Sequence, residues 1–319
     1  MKEIGGYIEL DTYHLPMLHE GAIALNCGRN ALAYLFKSRR IKKIAIPYLI
    51  CSSIPDVCDR ENVEKRFYHI GIDFKPDKNF ILDDDEWFYL VNFYGQLSND
   101  ELKQYIDKYG RVIIDQANAY FEEPIPGVDT IYTCRKWFGV ADGAFLYTDS
   151  TISEELHQDE SYERMHFLLG RYERAASEFY NEYTKNNTFF ANEPIKSMSK
   201  LTQNLLHGIN YKDVEQRRKE NFDYLQKKLG DINELQLKTA SFMFPLMVKK
   251  GVVIRKMLQE KKIYIPTLWP LVLDITKPED LEYRMAQNIL PLPIDQRYDL
   301  EDMKYMTQQI IYSINNVEE

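Results

Sequence analysis

The sequence predicts an α/β protein: a large domain over residues 1–209 with a mainly parallel sheet, then a linking helix and a small α+β domain over residues 210–319. Three observations carry that prediction. Runs rich in β-branched and aromatic residues alternate with helix-forming segments through the first half of the chain. The apolar run Arg111-Val-Ile-Ile-Asp115 is closed by an acid, as befits a strand buried on both faces that carries one carboxylate to its C-terminal end. Beyond a long helical pattern at 213–229, short strand and helix signals mix. Repeated strand, helix and strand units close into a parallel sheet through right-handed crossovers.

In chain order, residues 1–26 carry few regular signals apart from Gly5-Gly6. An amphipathic helix opens at Gly28-Arg29-Asn30 and continues through Ala33, Leu35 and Phe36, so these residues lie where unpaired N–H groups and the helix dipole favour an anion. The runs 41–49, 63–71 and 87–95 read as strands. Ser98, followed three residues later by Glu101 and then by Leu102, Tyr105 and Ile106, has the form of a capping box opening a short helix.

The segment 111–148 holds the chemistry. After the Asp115 strand come Gln116, Ala117 and Asn118, a loop with Pro124, Pro126 and Gly127, and a β-prone run at 129–136 that ends in Thr133 and Lys136. A turn through Asp142-Gly143 leads to a short return strand at Ala144–Tyr147. Residues 151–183 are charged and helical in character, with Arg164, Arg171, Tyr172 and Arg174. The helix at 213–229 is expected to end on Gly230 as its C-cap. A strand at 241–248, a helix at 252–258, a strand at 263–265 and a final amphipathic helix through Leu300, Met303, Met306 and Ile310 complete the expectation.

Composition narrows the function classes. The chain has 319 residues, is 45% hydrophobic and carries a formal net charge of −9, which argues against nucleic acid or an anionic membrane surface as its main partner. Cys27, Cys51, Cys58 and Cys134 show neither CxxC spacing nor a secretory leader before them, so reduced thiols in a cytoplasmic protein are expected, without a metal site. His14 and His19 lack companion ligands. No G-x-G-x-x-G follows a predicted strand, which disfavours a dinucleotide enzyme.

An acid at one strand end and a lysine at the next suit pyridoxal 5′-phosphate (PLP). Lysine supplies the amine that holds this cofactor as a Schiff base, and the carboxylate keeps its pyridine nitrogen protonated. Singly, each residue reads equally as a helix cap or a solvated side chain. Together, Asp115-Gln-Ala-Asn118, Thr133-Cys-Arg-Lys136 and Asp142-Gly143-Ala144 resemble the DegT/DnrJ/StrS family of PLP-dependent sugar aminotransferases, of which the chain reads as a divergent member.

That resemblance implies fold type I and a homodimer. Catalysis would fall to Lys136 and Asp115. Cofactor contacts would come from Asn118 near the ring, from Thr133 and the Gly28-Arg29-Asn30 turn at the phosphate, and from Tyr48 or Tyr94 stacking on the ring. It also implies an amino-acid donor, glutamate in the usual case, and a keto-sugar acceptor that can be nucleotide-linked. The family's stacking aromatic and its interface asparagine are not matched here. A PLP enzyme with a non-sugar acceptor, and a non-catalytic sensor or binding module on the same fold, therefore stand as alternatives.

Overall fold

The computed structural model describes residues 4–239 and 241–318. Its main sheet contains β1 (Ile23–Leu25), β2 (Lys43–Pro47), β3 (Glu64–Tyr68), β4 (Glu86–Val91), β5 (Val112–Asp115), β6 (Asp129–Thr133) and β7 (Ala144–Tyr147). Seven strands run in the order β1-β7-β6-β5-β4-β2-β3. β7 pairs antiparallel with both β1 and β6, and the pairs β6-β5, β5-β4, β4-β2 and β2-β3 are parallel. β7 is thus the one reversed strand, and the other six deliver their C-terminal ends to one edge. β3 and β4 lie on opposite sides of β2, and the crevice at such a reversal of strand order is where open α/β sheets bind ligands.

Helices α1 (Gly28–Ser38), α2 (Ser53–Arg60) and α3 (Asn99–Tyr109) connect the parallel strands. The reciprocal capping box at the start of α3 forms as its sequence requires, Ser98 and Glu101 each satisfying the other's backbone N–H. The charged region is less regular than its composition suggested. Short helices α4 (His166–Glu173) and α5 (Tyr180–Phe189) are separated by a 3-10 turn, and most of 150–159 is irregular. α6 (Lys200–Leu206) then leads to the long helix α7 (Tyr211–Leu229).

The C-terminal part holds β8 (Met243–Met247), α8 (Gly251–Glu260), α9 (Val272–Ile275), α10 (Leu281–Asn288), β9 (Ile289–Pro293) and α11 (Leu300–Glu318). β8 and β9 form an antiparallel pair. Residues 263–265 do not join it: the Ile263 N–H turns back to the Leu258 carbonyl at 2.9 Å, which closes the end of α8. β1 and β9 were not expected from the sequence. Gly230 is the C-cap of α7 as expected, its N–H bonded to the Gln226 carbonyl, but it keeps right-handed φ −58° and carries the chain into a 3-10 turn instead of taking the left-handed form. Glu282 of α10, 1% exposed, accepts the Ile70 N–H at 2.8 Å and joins this part to the end of β3.

Candidate cofactor site

The C-terminal edge of the main sheet gathers the residues singled out above. Asp115 ends β5, Thr133 ends β6, and Gly28 opens α1 just beyond the end of β1. Parallel pairing sets Val91 of β4 beside Asp115, and Asp115 beside Ile131 of β6, so Thr133 lies two residues beyond the level of Asp115 on the same side of the sheet.

Asp115 is 8% exposed, and the protein holds both of its carboxylate oxygens. Oδ1 accepts the Ala117 N–H at 2.7 Å and Oδ2 accepts the Tyr89 hydroxyl at 2.8 Å. Each oxygen has a second lone pair, so the carboxylate keeps acceptor capacity for a pyridinium N–H. Tyr89 is buried, and burial, with the Asp115 charge next in importance, raises its phenol well above the ordinary value, so it acts as a neutral donor. Sequence reading missed Tyr89, because the aromatic run of β4 gives no sign of which ring meets a carboxylate two strand positions away.

Lys136 occupies an exposed turn after β6, its ammonium 5.6 Å from the ring centre of Phe242. Three contacts fix the turn. The Trp137 indole N–H donates to the Ala117 carbonyl at 3.1 Å, tying the lysine turn to the Asp115 turn. The Cys134 N–H meets the Gly143 carbonyl at 3.1 Å, and Asn186 of α5 donates to the Ala141 carbonyl at 2.9 Å. Asp142 is fully buried, and it accepts the Ser199 N–H and hydroxyl, each at 2.8 Å, and the Thr202 hydroxyl. The acidic-glycine turn therefore anchors the loop behind Lys136.

At the start of α1, a Cβ on Gly28 would lie 3.3 Å from Cγ2 of Thr133, so this close approach is filled by any larger residue. Cys27 at the N-cap supplies no side-chain capping bond, and the first backbone bonds of the helix begin with the Asn30 and Ala31 N–H groups. The Gly28 and Arg29 N–H groups thus belong to the unpaired first turn. Arg29 and Arg135 converge on Asn187, Arg29 on its carbonyl at 3.1 Å and Arg135 on its side-chain oxygen. Neither guanidinium has a carboxylate within ion-pair distance among the described residues. Burial lowers the Arg135 pKa and raises that of the neighbouring Cys27 thiol.

Asn118 is 2% exposed and its Oδ1 has no hydrogen-bond partner, an orphaned acceptor beside the Asp115 turn. The remaining residues are placed differently. Asn30 gives its amide N–H groups to Asn26, Glu193 and Pro194, and its oxygen accepts from Arg60 at 2.9 Å, so its side chain is held inside the protein. Tyr48 stacks on Phe67 with ring centres 5.0 Å apart and lies against His69 at 4.6 Å, towards the β3 side of the sheet. Tyr94 is fully buried against Phe74, Phe242 and Trp269 in a left-handed backbone conformation, φ 53°. Outside this set, Arg297 makes a bidentate pair with Asp295 at 2.6 and 2.8 Å, the salt bridge its place near the end of the chain favours over a substrate contact. The orphaned Asn118 oxygen, the Gly28 cradle and the open acceptor sites on Asp115 fit PLP.

No family model and no curated protein matches the sequence. Among solved structures, a putative sugar aminotransferase from Streptococcus pneumoniae in its PLP form is similar at 14% identity, over 94% of this chain and 89% of that one, with a TM-score of 0.67. PseC of Helicobacter pylori, an aminotransferase involved in the biosynthesis of pseudoaminic acid, matches at 14% identity over 92% and 87%, with a TM-score of 0.64. A DegT DnrJ EryC1 StrS aminotransferase from Brucella abortus matches at 14% identity over 91% and 86%, with a TM-score of 0.62. Similarity at this identity establishes the fold: the chain has the fold-type-I architecture of these sugar aminotransferases.

Proposed function

We propose that this protein is a PLP-dependent aminotransferase that passes an amino group from an amino-acid donor to a keto sugar. The carrying observation is Asp115, a buried carboxylate held by Tyr89 and the Ala117 N–H, one parallel strand away from the turn that bears Lys136. Bound there, PLP supplies a protonated pyridine ring that draws electrons from the carbon next to the transferred nitrogen. Asp115 keeps that ring nitrogen protonated. Lys136 would hold the cofactor through Nζ, and its amine is the base that would move the proton at the substrate carbon. The Asn118 oxygen would accept from the ring substituents, and the Gly28 and Arg29 N–H groups with Thr133 would hold the phosphate. Arg29 and Arg135, which have no carboxylate partner among the described residues, would add charge-assisted donors to it.

Lys136 and Asp115 occur together, which supports the aminotransferase over a non-catalytic binding module. The sugar acceptor, glutamate as donor, a homodimer, and a division into residues 1–209 and 210–319 belong to the same proposal. The test is the visible spectrum of the protein with PLP, then borohydride reduction and peptide mapping. A pyridoxyl adduct on Lys136, absent from Lys136→Ala, followed by a spectral change with glutamate and its reversal by a member of a keto-sugar panel, is the expected result. No adduct at Lys136 overturns the proposal.

A further inference from the structure

Arg218 of α7 is 1% exposed, yet no carboxylate lies within ion-pair distance of it among the described residues. Burial lowers its pKa to about 10, so it stays charged at neutral pH. Its donors go to carbonyls and one amide. Nη1 meets the Ser241 carbonyl at 2.7 Å and the Phe242 carbonyl at 3.2 Å, Nη2 meets the Trp137 carbonyl at 3.4 Å, and Nε meets the Gln296 Oε1 at 3.0 Å. Gln296 donates back to the same Trp137 carbonyl at 2.8 Å. The guanidinium also lies 4.6 Å over the Trp137 ring. Trp137 follows Lys136 in the chain, and Phe242 is the ring beneath the Lys136 ammonium.

The nearby carboxylate, Asp295, is already held by Arg297, so the cost of burying the Arg218 charge is offset chiefly by its own hydrogen bonds, and those bonds tie together the groups they reach. Each of these bonds ends on the lysine turn, on the segment supporting the lysine, or on a glutamine from the C-terminal part that itself holds the turn. We infer that Arg218 and Gln296 are positioning residues that fix the Lys136 turn from the C-terminal side, setting how readily Nζ captures the cofactor. This rests on the proposed PLP chemistry. It adds a requirement that the parallel sheet alone does not impose: the region after α7 must be docked for Lys136 to be in place.

The test compares PLP, which Lys136 can capture covalently, with pyridoxamine phosphate, which fills the same site without capture. Dissociation constants for both are measured on the full chain, for the wild type, Gln296→Leu, Arg218→Met and the double variant. Gln296→Leu is expected to weaken PLP by about tenfold while leaving pyridoxamine phosphate within roughly twofold. The double variant should lose less than the sum of the two single losses, because both residues hold one carbonyl. Equal weakening of both ligands in Gln296→Leu, or no change in either, overturns the inference and leaves the proposed function standing. A wild type that binds neither ligand overturns both.

Discussion

The tyrosine that meets Asp115 makes the acid more than a charge at a strand end. Removing the Tyr89 hydroxyl leaves Oδ2 one donor short in a buried setting, a loss of about 1–2 kcal/mol. Tyr89→Phe is therefore expected to fold normally by circular dichroism and to slow the donor half-reaction by roughly tenfold, measured by stopped-flow absorbance. Asp115→Asn, which cannot hold a pyridinium, should cost at least about a hundredfold in the same assay. At the phosphate end, Arg135→Gln is expected to weaken PLP by roughly tenfold and to leave pyridoxal, which lacks the phosphate, unaffected. Equal losses for both ligands would remove Arg135 from the phosphate site.

At the scale of the element, the turn between β6 and β7 depends on a glycine and a buried acid. Gly143 has φ +117°, and a Cβ there would meet Cys134 at 3.1 Å and Thr202 at 3.2 Å. Gly143→Ala should destabilise the protein by about 2 kcal/mol, seen as a lower urea midpoint, since both the backbone and the space oppose the methyl. Asp142→Ala leaves the Ser199 and Thr202 donors without their acceptor and should cost a similar amount or more. The motif Asp142-Gly143 was legible as a turn. Its anchoring to α6 was not, because Ser199 lies 57 residues further on.

Across the whole molecule, the core imposes a pH dependence through His19. The ring sits 4.0 Å from that of Tyr132, and its Nε2–H donates to the Tyr120 carbonyl at 2.9 Å. Burial lowers its pKa from 6.5 to about 4. Between these values the unfolded chain binds a proton that the folded chain refuses, so stability rises with pH. The contribution is complete above pH 6.5 and is lost as pH falls to about 4, roughly 3 kcal/mol in all. Urea midpoints at pH 7 and pH 5 should differ less in His19→Phe than in the wild type. A difference of the same size would show that other groups set the acid limb.

The sequence by itself determined the α/β class, the parallel strands that end in Asp115 and Thr133, the helix start at Gly28, the α3 capping box and the order of acid before lysine. Each is written in a short window, as a period, a cap or a strand end. Tertiary structure decided which groups meet these residues. Tyr89 reaches Asp115 across 26 residues, Arg218 and Gln296 reach the Trp137 carbonyl across 81 and 159, and Asn30 is drawn away from the helix mouth by carbonyls 163 and 164 residues distant. The short strands β1 and β9 form where a partner pairs with them, whereas 263–265, equally β-prone, pairs with no strand among the described residues and stays irregular. A local pattern encodes what a segment prefers, and strand pairing, burial and hydrogen-bond demand across the chain choose its neighbours.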